Sequence, residues 1–77
     1  MILKGSRVEL ITDANLIGKP GEKTINVSPE KPCKGTVRST RYRKYGNTTA
    51  KLITFCPDAC PDNGYEFSYK CFREVKE

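Results

Sequence analysis

The sequence contains no histidine and no tryptophan, has a single methionine, and carries aromatic residues at only 9%. Without an imidazole there is no Ser-His or Cys-His nucleophile pair, and no zinc site of mixed Cys and His ligands. No apolar run approaches the ~20 residues of a transmembrane helix, and the opening MILKGSRVELI is too interrupted to be the core of a signal peptide. Gly18, Gly21 and Gly35 are too scattered to form a phosphate loop. No stretch carries a helical period with caps at its ends. Acidic side chains are missing altogether between Glu30 and Asp58. These absences lead us to expect a non-enzymatic, cytoplasmic protein without a membrane segment.

What is present is short and basic. A chain of 77 residues can fill one core, so residues 1–77 are expected to form a single domain. Domains of this size bury only roughly 60% of the surface their unfolded chains expose, and a metal, disulfides or a partner often adds to their stability. The formal charge is +5, from 14 basic and 9 acidic residues, which favours anionic partners.

The apolar residues fall in short alternating runs, the pattern of strands half-buried on one face. After the Lys4-Gly5-Ser6 turn signal, Val8 and Leu10 alternate with Arg7 and Glu9. Asp13 to Gly21 carries Asn, Gly and Pro without a period and is expected to be a loop, with Leu16 and Ile17 tucked back onto the core. Lys23 to Val27 is a short strand with Ile25 and Val27 on one face, ended by Ser28-Pro29-Glu30-Lys31-Pro32, where neither proline can donate to a ladder. A β-rich run from Gly35 through Tyr42 reverses at Tyr45-Gly46-Asn47-Thr48 and returns over Thr48 to Cys56. Cys56 to Gly64 is an irregular loop. Tyr65 to Val75 alternates again until Phe72 breaks the parity, which predicts a bulge or a short helical turn before a last strand from Phe72 to Lys76. The expected fold is all-β, a small barrel of about five strands with a long first loop.

Lys4-Gly5-x-x-Val8-x-Leu10-Ile11 followed, after a long loop, by Lys34-Gly35-Thr36-Val37 resembles SH3-like small barrels, including the KOW-type modules of ribosomal and transcription proteins. The resemblance covers the first half of the chain. The connection from Ile11 to Gly35 is longer than in a KOW motif, and the cysteines have no place in that pattern. Loops around this pair of strands contact RNA or a protein in KOW-type modules, so the resemblance implies such a role for Lys34, Arg38 and Arg41.

Four cysteines, Cys33, Cys56, Cys60 and Cys71, include one C-x3-C pair in a proline-rich loop. Thiols stay reduced in the cytoplasm, which places a structural zinc held by these four, or buried free thiols, ahead of disulfides. Cys33 and Cys56 are expected at the open end of one ladder, with Cys60 a loop away and Cys71 on a neighbouring strand. A small redox or metal-handling role for Cys56 and Cys60 is a further reading. Asp58 and Asp62 on either side of Cys60 are a carboxylate pair by position, and turn formers by context.

The acid-free stretch holds Lys31, Lys34, Arg38, Arg41, Arg43, Lys44 and Lys51, half of the chain's fourteen basic residues. Strand alternation places Arg41, Arg43 and Tyr45 on one face and Arg38, Tyr42 and Lys44 on the other. Guanidinium and ammonium groups can bind phosphates, while Tyr42 or Tyr45 offers a ring for base stacking or for a cation. Such charges also solubilise edge strands. The expected function is therefore a binding module that contacts nucleic acid, RNA or DNA, through a basic β-hairpin made of Lys34, Arg38, Arg41, Tyr42, Arg43, Lys44, Tyr45 and Lys51. The alternative is a small phage or bacterial accessory protein that docks on an acidic surface of a larger complex.

Overall fold

The computed structural model describes residues 2–76. Its strands are β1 (Arg7–Leu10), β2 (Ala14–Leu16), β3 (Ile25–Val27), β4 (Cys33–Tyr45), β5 (Thr48–Pro57), β6 (Tyr65–Ser68) and β7 (Phe72–Glu74), with a 3-10 turn at Tyr69–Cys71 ahead of the last. The chain is all-β. Five strands form an antiparallel sheet in the order β6-β5-β4-β1-β7, and β2 pairs with β3 in a separate two-stranded sheet. No ladder joins β6 to β7, so among the described residues the larger sheet is open rather than a closed barrel.

Period-2 alternation explains where the core lies. Val8 and Leu10 of β1, Val37 of β4, Ile53 and Phe55 of β5 and Phe72 of β7 are buried on one face of the large sheet. Phe72 meets the Phe55 ring edge-on, with centroids 5.1 Å apart at 74°. It is the residue that breaks the alternation after Tyr65: the 3-10 turn at Tyr69–Cys71 resets the parity and delivers Phe72 inward. Of the two readings of that break, the helical turn is the one found.

The first loop is more regular than its composition suggests. Leu16 and Val27 are buried, and Ala14 and Ile25 pack partly buried beside them, while Asn15 and Asn26 face outward. The β2-β3 ribbon thus covers the core with one face. Ile17, expected to tuck in as well, is 74% exposed. The strand at Ala14–Leu16 has no β-branched residue, so its propensity is poor, and its partner β3 together with burial of Leu16 imposes it. Tyr65 donates its hydroxyl hydrogen to the Ile17 carbonyl at 2.9 Å, and Asn63 donates to Glu22 Oε1 at 3.1 Å, fastening this loop to the start of β6 and the turn before it.

The β4-β5 hairpin is the longest element. Its two-residue loop, Gly46-Asn47, has positive φ only at Gly46 (+60°), the pattern of a type II′ turn, which requires glycine at its first central position. The ladder runs in register from Tyr45↔Thr48 to Ser39↔Thr54 and then shifts, because Arg38 is an extra residue before Val37↔Phe55. A bulge of this kind bends its strand and increases the local twist.

Candidate nucleic-acid interface

β6 pairs with β5 only over Leu52–Phe55, and β1 pairs with β4 only over Cys33–Thr36. From Tyr42 to Lys51 the hairpin therefore continues alone as a two-stranded arm, and all of its residues from Tyr42 to Thr49 are exposed. The register divides its side chains between two faces. Arg41 (opposite Leu52), Arg43 (opposite Ala50) and Tyr45 (opposite Thr48) share one; Tyr42 (opposite Lys51) and Lys44 (opposite Thr49) share the face that continues the core side of Ile53 and Phe55. The first grouping matches the alternation expected from the sequence.

Arg38 does not keep its expected place beside Tyr42 and Lys44. The bulge turns it to the opposite face, where a Cβ on Gly64 would lie 2.7 Å from Arg38 Nη1 and 3.1 Å from Thr54 Cγ2. Alternation counted through the sequence fails here because an inserted residue reverses the face of everything on one side of it.

The arm is clamped at its base on both faces. Arg41 donates from Nε and Nη2 to the two carboxylate oxygens of Glu66 on β6, each at 2.7 Å. On the other face Lys51 Nζ donates to the Ile2 carbonyl at 2.7 Å. The Arg41 hydrogen bonds hold the Glu66 carboxyl below its ordinary range, and Glu66 in turn keeps the Arg41 guanidinium charged to higher pH. Two of the cations expected to bind a partner thus have structural engagements. Arg43 and Lys44, farther out, form no ion pair among the described residues. The Arg43 guanidinium lies 5.2 Å from the centroid of the Tyr45 ring, a cation-π contact on the face that the two share. Tyr42 is 69% exposed.

Lys34 lies outside this group. It pairs across to Glu9 at the other end of β4, roughly 33 Å of extended strand away from Lys44. Asp58 is nearby, bound by the Arg7 guanidinium at 2.7 and 2.6 Å; that hydrogen bonding, with Lys34 adding to it, pulls the carboxyl below its ordinary value. Sequence reasoning missed two contributions to the arm. Asn47, Thr48 and Thr49 add exposed polar groups at its tip, and Glu66 neutralises Arg41 from a strand distant in sequence. An Asn-Thr-Thr run next to the turn was the available signal for the first; nothing local signals the second.

The cysteines are all free thiols and all half-buried. Cys33 sits opposite Leu10 and packs on the core, whereas Cys56, opposite Thr36, faces the other side of the sheet. Cys71 precedes β7, on the far side of β1 and about two ladder spacings, roughly 10 Å, from Cys33. A tetrahedral zinc site needs sulfurs about 2.3 Å from one ion. Among the described residues no three Cys, Asp or Glu side chains come together where they could hold a metal. Burial, and then the nearby Asp58 and Cys60, push the Cys33 thiol up from its ordinary pKa.

No helix among the described residues is long and apolar enough to cross a membrane. No family model matches the chain, and no curated protein or solved structure is similar to it at a significant level.

Proposed function

We propose that this chain is a small non-enzymatic binding module of the cytoplasm whose β4-β5 arm engages nucleic acid. The observation that carries the reading is the arm itself: a two-stranded ribbon from Tyr42 to Lys51 that projects beyond the sheet, has no acidic residue of its own, and presents Arg43 and Lys44 beside two exposed tyrosines. Cations of this kind bind phosphates in any sequence, and a tyrosine among them adds a stacking surface. The meander order β1-β4-β5-β6 with β7 returning beside β1, and the 3-10 turn before β7, support an SH3-like architecture for the scaffold. In this reading the Arg41–Glu66 and Lys51–Ile2 contacts orient the arm, while Arg43, Lys44, Tyr42, Tyr45 and the nearby Arg38 meet the partner.

The test is a double charge reversal, Arg43→Glu with Lys44→Glu, in the full chain. Both side chains stand outside the core, so far-ultraviolet circular dichroism and the melting temperature should match the unaltered protein. The altered protein should lose binding to mixed single- and double-stranded oligonucleotides at low salt. If the unaltered chain instead retains one stoichiometric protein from nuclease-treated lysate and binds no oligonucleotide, the arm docks on an acidic protein surface and the proposal fails.

A further inference from the structure

We infer that the arm is a two-sided wedge for the major groove of B-form duplex DNA; this inference rests on the nucleic-acid reading above and narrows it. The register puts its two unpaired cations on opposite faces, Arg43 with Ala50 on one and Lys44 with Thr49 on the other. A single strand lying along one face of the ribbon would be reached by one of them. A groove has two phosphate walls, and a ribbon inserted between them sets Arg43 against one wall and Lys44 against the other.

The dimensions agree. A two-stranded β-ribbon fits the major groove, which is about 12 Å wide and about 8.5 Å deep. The last pair that β5 makes with β6 is Leu52↔Ser68, level with Arg41; from there to Tyr45↔Thr48 the ladder runs four more residues, about 14 Å, before the turn. The arm is thus long enough to reach the floor of the groove before β6 meets the backbone. The B-form minor groove, about 6 Å wide, is too narrow for the ribbon. The major groove of A-form RNA is too narrow and deep for side chains to read.

The tip carries the groups that the floor requires. Asn47, Thr48 and Thr49 are exposed, neutral and able to donate and accept hydrogen bonds at base edges, and residues 42–51 include no carboxylate of their own to repel the backbone. The type II′ turn keeps the tip two residues wide. Arg43, held over the Tyr45 ring at 5.2 Å, keeps its guanidinium near the tip.

Fluorescence anisotropy of the full chain tests this with a B-form DNA duplex of about 20 bp, its separated strands and an A-form RNA duplex of the same sequence, at about 50 mM salt. The duplex DNA should bind at least about tenfold tighter than either competitor. Methyl green, a major-groove ligand, should displace the protein, and netropsin, a minor-groove ligand, should not. Arg43→Ala and Lys44→Ala should each make the log-log salt slope shallower by about 0.9, one phosphate apiece. Equal binding to single strands, displacement by netropsin, or a slope that responds to only one of the two substitutions would overturn the wedge while leaving nucleic-acid binding in place. No binding to any of the three nucleic acids would overturn both.

Discussion

Replacing Gly35 with alanine would drive a methyl group against the Cys56 carbonyl oxygen, 2.7 Å from Phe55 Cδ2 and 3.0 Å from the Cys56 carbonyl carbon. Two of those atoms are backbone of the neighbouring strand and cannot rotate away. The third belongs to a fully buried ring held edge-on by Phe72. Relief requires β4 to separate from β5 at the point where β4 also pairs with β1 through Val8↔Gly35. Overpacking of this kind costs about 1–3 kcal/mol, and the backbone contacts put Gly35→Ala at the upper end. The strand preference of alanine over glycine returns about 0.5–1 kcal/mol, leaving a net loss of about 2 kcal/mol. At about 0.05–0.15 kcal/mol per residue a chain of this length has only about 4–12 kcal/mol in total. A domain of this size loses about 4–8 °C per kcal/mol, so thermal unfolding followed by circular dichroism should show a midpoint lower by about 8–16 °C. An unchanged or raised midpoint would show that the strands around Gly35 are not packed as closely as argued.

Three further outcomes follow from particular contacts. Glu66→Gln removes the charge that neutralises Arg41, so Arg41 should become available to phosphate and the salt slope on duplex DNA should steepen by about 0.9; an unchanged slope would mean that Arg41 lies beyond the partner's reach. Asp58 and Glu66, whose ordinary values are 3.8 and 4.5, ionise more readily in the folded chain than in the unfolded one, so their contribution is complete above that range and is lost as pH falls through the lowered folded values. Stability measured by urea denaturation should accordingly drop below about pH 4.5 and be flat just above it, and a drop confined to neutral pH would contradict the assignment. Because Cys33 is held protonated by burial and by Asp58 and Cys60, its alkylation by iodoacetamide, followed by peptide mass spectrometry, should be slower than that of an unhindered cysteine with the ordinary pKa of 9.0; an equal or faster rate would refute it.

The alternation of β1, β4 and β5 was legible because each strand has a wet face and a dry face, and the sequence records which residue goes where. The arm was legible for the same reason, with Gly46 as its pivot, although Gly-Asn suits a type II′ turn rather than the type I′ turn that an Asn-Gly would signal. Three features were not legible. The strand at Ala14–Leu16 exists through pairing with Ile25–Val27 and burial of Leu16, which a window of loop-forming residues conceals. The bulge at Arg38 leaves no local mark, yet it moves that side chain away from Tyr42 and Lys44 to the other face. The pairing of Arg41 with Glu66 joins residues far apart in the chain, so a count of charges along the sequence overstates how many are available. The same limit applies to the cysteines. Their spacing places Cys33 and Cys56 on one ladder, but only the register reveals that Cys33 faces the core and Cys56 the other side.

If the arm, with Arg38 below its base, engages nucleic acid through the cations left free by the fold, the affinity of the unaltered chain for duplex DNA must fall as salt rises. With Arg38, Arg43 and Lys44 each neutralising one phosphate, the slope of log K against log salt should be about −2.7, which corresponds to a loss of roughly 40-fold between about 50 and 200 mM. An affinity that ignores salt over that interval, or no detectable binding at its lower end, would contradict the account.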